Sequence, residues 1–224
     1  MKSQPPVRRA AFTLIEVLTV IAIIAMLAAL GFAGLRFAQN KAREKKTINL
    51  LADMTKALEE YRQERGSYPR PAQDEEEFQI GGESYKIGGA KMLYQVLSGD
   101  GTDAIKGGGE KMPTGQQASA EDPKDPGAGK IYMDTVVAPT AQQIKDKKHT
   151  ELVESSGDNS YFLVDPWRHP FQYQVPDVDK NGIASDKVKM HSGSRFEIWS
   201  YGALKKPEAT EEAQKEWITT WNNR

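Results

Sequence analysis

Phe12-Thr13-Leu14-Ile15-Glu16-Val17 opens the run FTLIEVLTVIAIIAMLAALGFAGLRFA, residues 12–38, and the reading of this stretch decides the fold. From Phe12 to Leu35 it holds a single charge, Glu16, and no proline. About two dozen apolar residues, each rising about 1.5 Å in a helix, match a hydrocarbon core of about 30 Å, so the stretch reads as a membrane span. Lys2, Arg8 and Arg9 precede it. Basic flanks stay in the cytoplasm, which puts the N-terminus inside and the remainder of the chain outside. A secretory signal also opens on basic residues, but its apolar region is shorter and ends at a small-residue cleavage site. Here the run passes directly into Arg36, Lys41, Arg43, Lys45 and Lys46. Hydropathy alone is equally satisfied by a simple signal anchor.

The helix does not stop with the apolar run. No Pro or Gly occurs between Arg36 and Arg65, and good helix formers dominate. Ile48, Leu51, Met54 or Thr55, Leu58 and Tyr61 recur at steps of three and four, an amphipathic stripe. Gly66 supplies a stop signal and Pro69 follows. One helix from Phe12 to Arg65 would be on the order of 80 Å long, apolar all round in its first half and sticky on one face in its second.

After Pro69 the texture changes. Residues 70–130 carry Gly81-Gly82, Gly88-Gly89, Gly107-Gly108-Gly109 and the stretch EDPKDPGAGK. A short helix is expected at Ala90–Leu97, where Met92, Leu93, Val96 and Leu97 share a face, and the rest up to residue 130 reads as loop. Strands are expected at Lys130–Val137, Tyr161–Val164, Phe171–Val175, Val188–His191 and Phe196–Tyr201. In the last of these, Phe196, Ile198 and Ser200 alternate with Glu197, Trp199 and Tyr201. The expected fold class is α+β: a long N-terminal helix packed on a small antiparallel sheet.

The composition narrows the function. The 224 residues carry a formal net charge of −1, so bulk charge points to no nucleic-acid partner. There is no cysteine, hence no disulfide, thiolate nucleophile or Cys-ligated zinc. His149, His169 and His191 stand apart in sequence. No nucleophile elbow, phosphate-binding loop or zinc-protease motif occurs, and an enzyme is not expected.

Ala10-Ala11-Phe12-Thr13-Leu14-Ile15-Glu16-Val17 resembles the signal of type IV prepilins, a small residue followed by Phe-Thr-Leu-Ile-Glu-Val at the head of an apolar helix. Ala11 stands where glycine is usual. The resemblance implies that a prepilin peptidase cuts between Ala11 and Phe12, and that the new Phe12 amine is N-methylated. It also implies that the apolar helix stays in the mature chain and polymerises. Glu16 has a physical reading of its own, because an ionisable side chain within a span costs several kcal/mol unless paired. The freed Phe12 amine of a neighbouring copy is its natural partner. Such a pair adds little net stability but penalises any wrong register.

Further matches extend the likeness. Tyr61-Arg62-Gln63-Glu64-Arg65-Gly66-Ser67-Tyr68-Pro69 is similar to the close of the long helix in pseudopilins. Asp165-Pro166-Trp167, Pro170, Tyr173 and Glu197-Ile198-Trp199-Ser200-Tyr201-Gly202 resemble the sheet of the major pseudopilin of type II secretion. The same residues also serve as turn and core formers. The organisation expected is a leader at 1–11, a membrane and assembly half at 12–35, an amphipathic half at 36–65, and an extracytoplasmic domain at 66–224 with a loop-rich insertion at about 70–160.

The resemblance implies a pseudopilus subunit in the bacterial inner membrane, built into a periplasmic filament. Its partners would be further copies of itself, other pseudopilins, the peptidase, an inner-membrane platform, an assembly ATPase and membrane lipid. A pilus-like subunit for adhesion or DNA uptake, or an anchored binding module that never polymerises, are the other readings. Major pseudopilins hold calcium after the Ser-Tyr-Gly segment, but here that loop carries Lys205 and Lys206 and no aspartate. Asp177, Asp179, Asn181 and nearby Asp186 instead fit the first half of an oxygen-ligand calcium loop, although Val188 stands where a bidentate Glu is expected. A hairpin turn using Asp, Asn and Gly accounts for the same residues. Trp217 and Trp221, four apart, are expected to pack against the domain rather than bind carbohydrate.

Overall fold

The computed structural model describes residues 13–107, 130–137, 140, 142–143, 150–157, 160–176, 190–191, 193–204 and 210–221. The chain divides into two compact units, one ending at Ala42 and the other beginning at Arg43. A single 52-residue helix, α1 (Leu14–Arg65), contributes to both.

In the first unit the helix is apolar and its described large side chains, such as Leu14, Ile21, Ile24, Leu27 and Phe32, are exposed. In the second, Leu50, Leu51, Met54, Ala57 and Leu58 are buried in the main core. The expected stripe holds at Leu51, Met54 and Leu58, with Tyr61 packed against the same core, and departs only at its start. Ile48 is exposed, and Thr47 takes its place, fully buried, because its hydroxyl donates to the Arg43 carbonyl at 2.9 Å and so needs no water. Residues 47, 50, 51, 54, 57 and 58 share one helical face, whereas 48 lies about 100° away. The helix ends at Gly66, whose positive φ of 79° lets its N–H reach the Arg62 carbonyl at 2.8 Å.

Three small antiparallel sheets take the place of the single sheet expected. The strands β1 (Glu77–Ile80) and β2 (Glu83–Lys86) form a hairpin. A second hairpin joins β3 (Val153–Gly157) to β4 (Ser160–Leu163). The third sheet has the order β5-β6-β7, from Gln172–Gln174, Glu197–Ser200 and Ile218–Thr219. The helix α2 (Gly88–Ser98) covers the expected Ala90–Leu97 and buries Met92, Leu93, Val96 and Leu97. A single turn, α3 (Glu211–Gln214), is capped by the Thr210 hydroxyl.

The β1–β2 hairpin lies where only loop was expected. Phe78 and Ile80 alternate with Glu77 and Gln79 and pack on Ile87, Ala90, Phe162 and Val164. Gly81 and Gly82 make the turn with φ of 62° and 90°, the two-residue connection that favours hairpins. Gly88 allows this region to close on α2, since a Cβ there would sit 1.8 Å from the Gln73 carbonyl oxygen. The Lys130–Val137 strand does not form. The Tyr132 and Met133 N–H groups instead both donate to the Leu97 carbonyl at 3.1 Å, serving the end of α2 rather than a ladder. Of Val188–His191, residues 188–189 lie outside the described residues and His191 is not in a strand.

Candidate functional site

The site is built from the start of α1. Thr13 stands immediately before the helix and Glu16 in its first turn. The Thr13 N–H and hydroxyl both donate to Glu16 Oε2, at 3.0 and 2.9 Å, while the Glu16 N–H donates back to the Thr13 hydroxyl at 3.3 Å. This is a reciprocal capping box: a Thr-x-x-Glu spacing satisfies amide donors that the first turn leaves open. The signal for it is the Thr-x-x-Glu spacing of Thr13-Leu14-Ile15-Glu16 in the sequence. Glu16 therefore has a local task within its own helix, beside any task toward a neighbour. The negative charge also suits the positive end of the helix dipole.

Downstream, the apolar residues of α1 are presented on every side. Val17, Leu18, Ile21, Ile23, Met26 and Leu27 are all exposed, and at about 100° per residue their positions cover the full turn of the helix. The helix is long and apolar enough to cross a membrane. A helix apolar all round demands an apolar environment on all sides, lipid or other helices, because water would leave that surface unpaid by any burial.

Two further segments singled out in the sequence meet in space. Asp165, fully buried, accepts the Ser200 hydroxyl at 2.5 Å through Oδ2, and the Trp167 and His169 N–H groups at 2.8 and 2.9 Å through Oδ1. His169 Nδ1 then donates to the Gly202 carbonyl at 3.1 Å. The Asp165-Pro166-Trp167 turn and the Ser200-Tyr201-Gly202 segment are thus one buried polar joint, with Arg168 held at a positive φ of 73° to complete it. Burial pushes the Asp165 carboxyl up, against the three bonds that lower it. Ser200 and Asp165 are both fully buried and bonded to each other, and His169 is turned to a backbone carbonyl, so the joint closes on itself and ties the two segments together.

Trp217 and Trp221 pack as expected. Trp217 stacks on Trp199 with centroids 5.7 Å apart, and Trp221 meets Trp199 edge-on at 5.8 Å and stacks on His191 at 4.3 Å. Glu197, also fully buried, accepts from the His191 backbone N–H and ring and from the Gln174 amide. Ala11 and Phe12, and the calcium candidates Asp177, Asp179, Asn181 and Asp186, lie outside the described residues. Among the described residues, no group of three or more His, Asp or Glu could hold a metal ion.

Residues 7–32 match the family model described as the Prokaryotic N-terminal methylation motif. The match supports a type IV prepilin-like family and indicates a prepilin that is processed by a peptidase and anchored in a membrane by its apolar helix. No curated protein and no solved structure matches the chain.

Proposed function

We propose that the chain is a structural subunit of a type II secretion pseudopilus, cleaved between Ala11 and Phe12, N-methylated on Phe12, and polymerised through α1. The observation that carries this reading is one carboxylate, Glu16, in the first turn of a helix whose apolar side chains are exposed on all faces. In the bilayer the subunit waits as a single-pass protein. Extraction into a filament exchanges lipid contacts for helix–helix contacts, which costs little hydrophobic energy. Work from a cytoplasmic ATPase, passed through an inner-membrane platform, drives the transfer. Glu16 sets the register by leaving Thr13 in part for the Phe12 amine of an adjoining copy.

The secretion pathway is preferred over a surface pilus because the Asp-Pro-Trp and Ser-Tyr-Gly segments, which resemble the major pseudopilin, form one joint through Asp165 and Ser200. The N-terminus is assigned to the cytoplasm and residues 66–224 to the periplasm. That orientation follows from the processing reaction more than from charge, since Arg36, Lys41, Arg43, Lys45 and Lys46 after the span outnumber Lys2, Arg8 and Arg9 before it.

Co-expression with a prepilin peptidase should remove the mass of residues 1–11 and add one methyl group. An unprocessed chain would leave an anchored module in its place. In the processed chain, Glu16→Gln should abolish filaments while the fold of residues 43–224 survives; filaments of normal yield from this variant would sink the register role. Deletion of the gene should stop export of folded exoproteins, and loss of surface fibres with export intact would move the subunit to a pilus.

A further inference from the structure

The second unit carries an open cleft of about 840 Å³ that the filament reading does not use, within the roughly 300–1,000 Å³ range of small-ligand sites. Three cations from separate segments line it: Arg70, Lys86 and Lys106. Lys86 is paired with Glu75 at 2.7 Å, and Arg70 donates to the Pro176 carbonyl at 2.5 Å. Lys106 is exposed; its backbone N–H donates to the Arg70 carbonyl at 2.7 Å, while its ammonium makes no hydrogen bond or ion pair with any described residue. Asp74 and Glu75 are the acids of the lining, so the cleft keeps an excess of one positive charge. A concave wall with one sign in excess concentrates small anions, yet one surplus charge is too little for a polyphosphate chain, whose binding grows with the number of cations it meets.

The remaining lining is aromatic and amide. Half-buried Trp199 stacks one face on Trp217 and also borders the cleft, beside Tyr201 and the amide side chain of Gln172. A flat ring next to amide, carboxylate and cationic groups suits a ligand that is apolar on one face, rich in hydroxyls at its rim and singly charged. An acidic sugar has all three properties. An acidic peptide offers the charge but neither the flat face nor the hydroxyl rim.

We propose that this cleft binds a uronic-acid unit of an acidic polysaccharide, its carboxylate meeting Lys106 and Arg70, its ring lying against Trp199 and its hydroxyls bonding to Asp74. The inference does not depend on polymerisation. It places a glycan-recognition site on the subunit itself, apart from the buried joint at Asp165.

The full-length chain in detergent micelles tests it by isothermal titration with oligogalacturonate, with a malto-oligosaccharide of equal length as the neutral control and polyglutamate as the peptide control. Oligogalacturonate should bind, and both controls should bind at least about tenfold more weakly, the value of one charge-assisted bond. Lys106→Gln should weaken the oligogalacturonate by about the same factor. Its melting temperature should hardly move, because the Lys106 side chain is exposed and the backbone bond of residue 106 to Arg70 is kept. Absence of heat at millimolar oligogalacturonate, equal binding of either control, or an unchanged affinity in Lys106→Gln would each overturn the proposal.

Discussion

Leu27 and Leu58 are the same residue on the same helix, and their fates are opposite: Leu27 is 63% exposed and Leu58 is 0% exposed. Around Leu27 the neighbours Ile23, Ile24 and Met26 are exposed as well, whereas around Leu58 the side chains of Met54 and Ala57 are buried. The first stretch is the more apolar of the two, yet it is the second that supplies the core. Hydrophobicity therefore says only that a surface must be covered. Which partner covers it depends on shape: a stripe on one face finds a domain, and a belt on every face needs lipid or a bundle of like helices.

The comparison breaks most sharply under truncation of the two leucines. Leu58→Ala should cost about 2–5 kcal/mol, since the hole it leaves is walled by core. Leu27→Ala should stay within about 0.5 kcal/mol of wild type for the second unit, while weakening filament growth. Thermal unfolding of the full chain in micelles, followed by circular dichroism, reads the first number for both variants. Equal melting temperatures would mean that the two stretches do not differ in the way their exposure says.

A second difference is chemical. The apolar stretch is held by no described tertiary polar contact, whereas the second unit contains buried acids that are completely engaged, Asp165 foremost. Asp165→Ala should cost roughly 1–3 kcal/mol for the donors it strands, seen as a lower urea midpoint. Ser200→Ala removes one hydroxyl together with the need to satisfy it and should cost less. If Ser200→Ala proves as damaging as Asp165→Ala, the joint works through packing at residue 200 and not through the carboxylate.

How much of this was legible in the sequence varies with the range of the interaction. The long helix, its stop at Gly66 and the β6 strand follow from periods and turn residues close in sequence, and each formed, although Glu197 and, just beyond the strand, Tyr201 on its second face are buried as well. The Thr13–Glu16 box was equally local and equally readable. The β1–β2 hairpin was missed because Glu77, Gln79, Glu83 and Lys86 made the segment look polar, while its apolar alternation rests only on Phe78, Ile80 and Tyr85. β7 has two residues and α3 has four, too short for any period. The joint of Asp165 with Ser200 spans 35 positions, and the cleft gathers residues from 70 to 201. Spacing within one sequence holds no record of either. The place of Thr47 at the head of the α1 stripe, where Ile48 was expected, is illegible for another reason: a hydroxyl that bonds its own helix behaves as an apolar residue, and sequence alone does not say which threonines do so.

The smallest effect expected lies at the C-terminal end of α1, where polar contacts reinforce the packed half. Lys130 pairs with Glu64 and reaches Glu60 at 3.2 Å, the Tyr132 hydroxyl donates to Glu64 at 2.7 Å, and the Tyr61 and Tyr132 rings lie 5.6 Å apart. Burial, and then the bond to Glu64, push the Tyr132 phenol up to about 12, from an ordinary value of about 10. The folded state thus holds this proton more tightly than the unfolded one. Its contribution is complete below pH of about 10 and is lost as pH rises through about 12. Lys130, raised chiefly by its bond to Glu64, adds a loss of the same sign. Tyr132→Phe keeps the ring and removes only the phenol, so at neutral pH it should cost about 1 kcal/mol or less. Above pH of about 10 the variant should lose stability less steeply than wild type, the remaining slope belonging to Lys130 and the other buried tyrosines. Melting temperature against pH for the two proteins gives the difference directly, and parallel curves would show that the Tyr132 hydroxyl contributes nothing to holding this end of the helix.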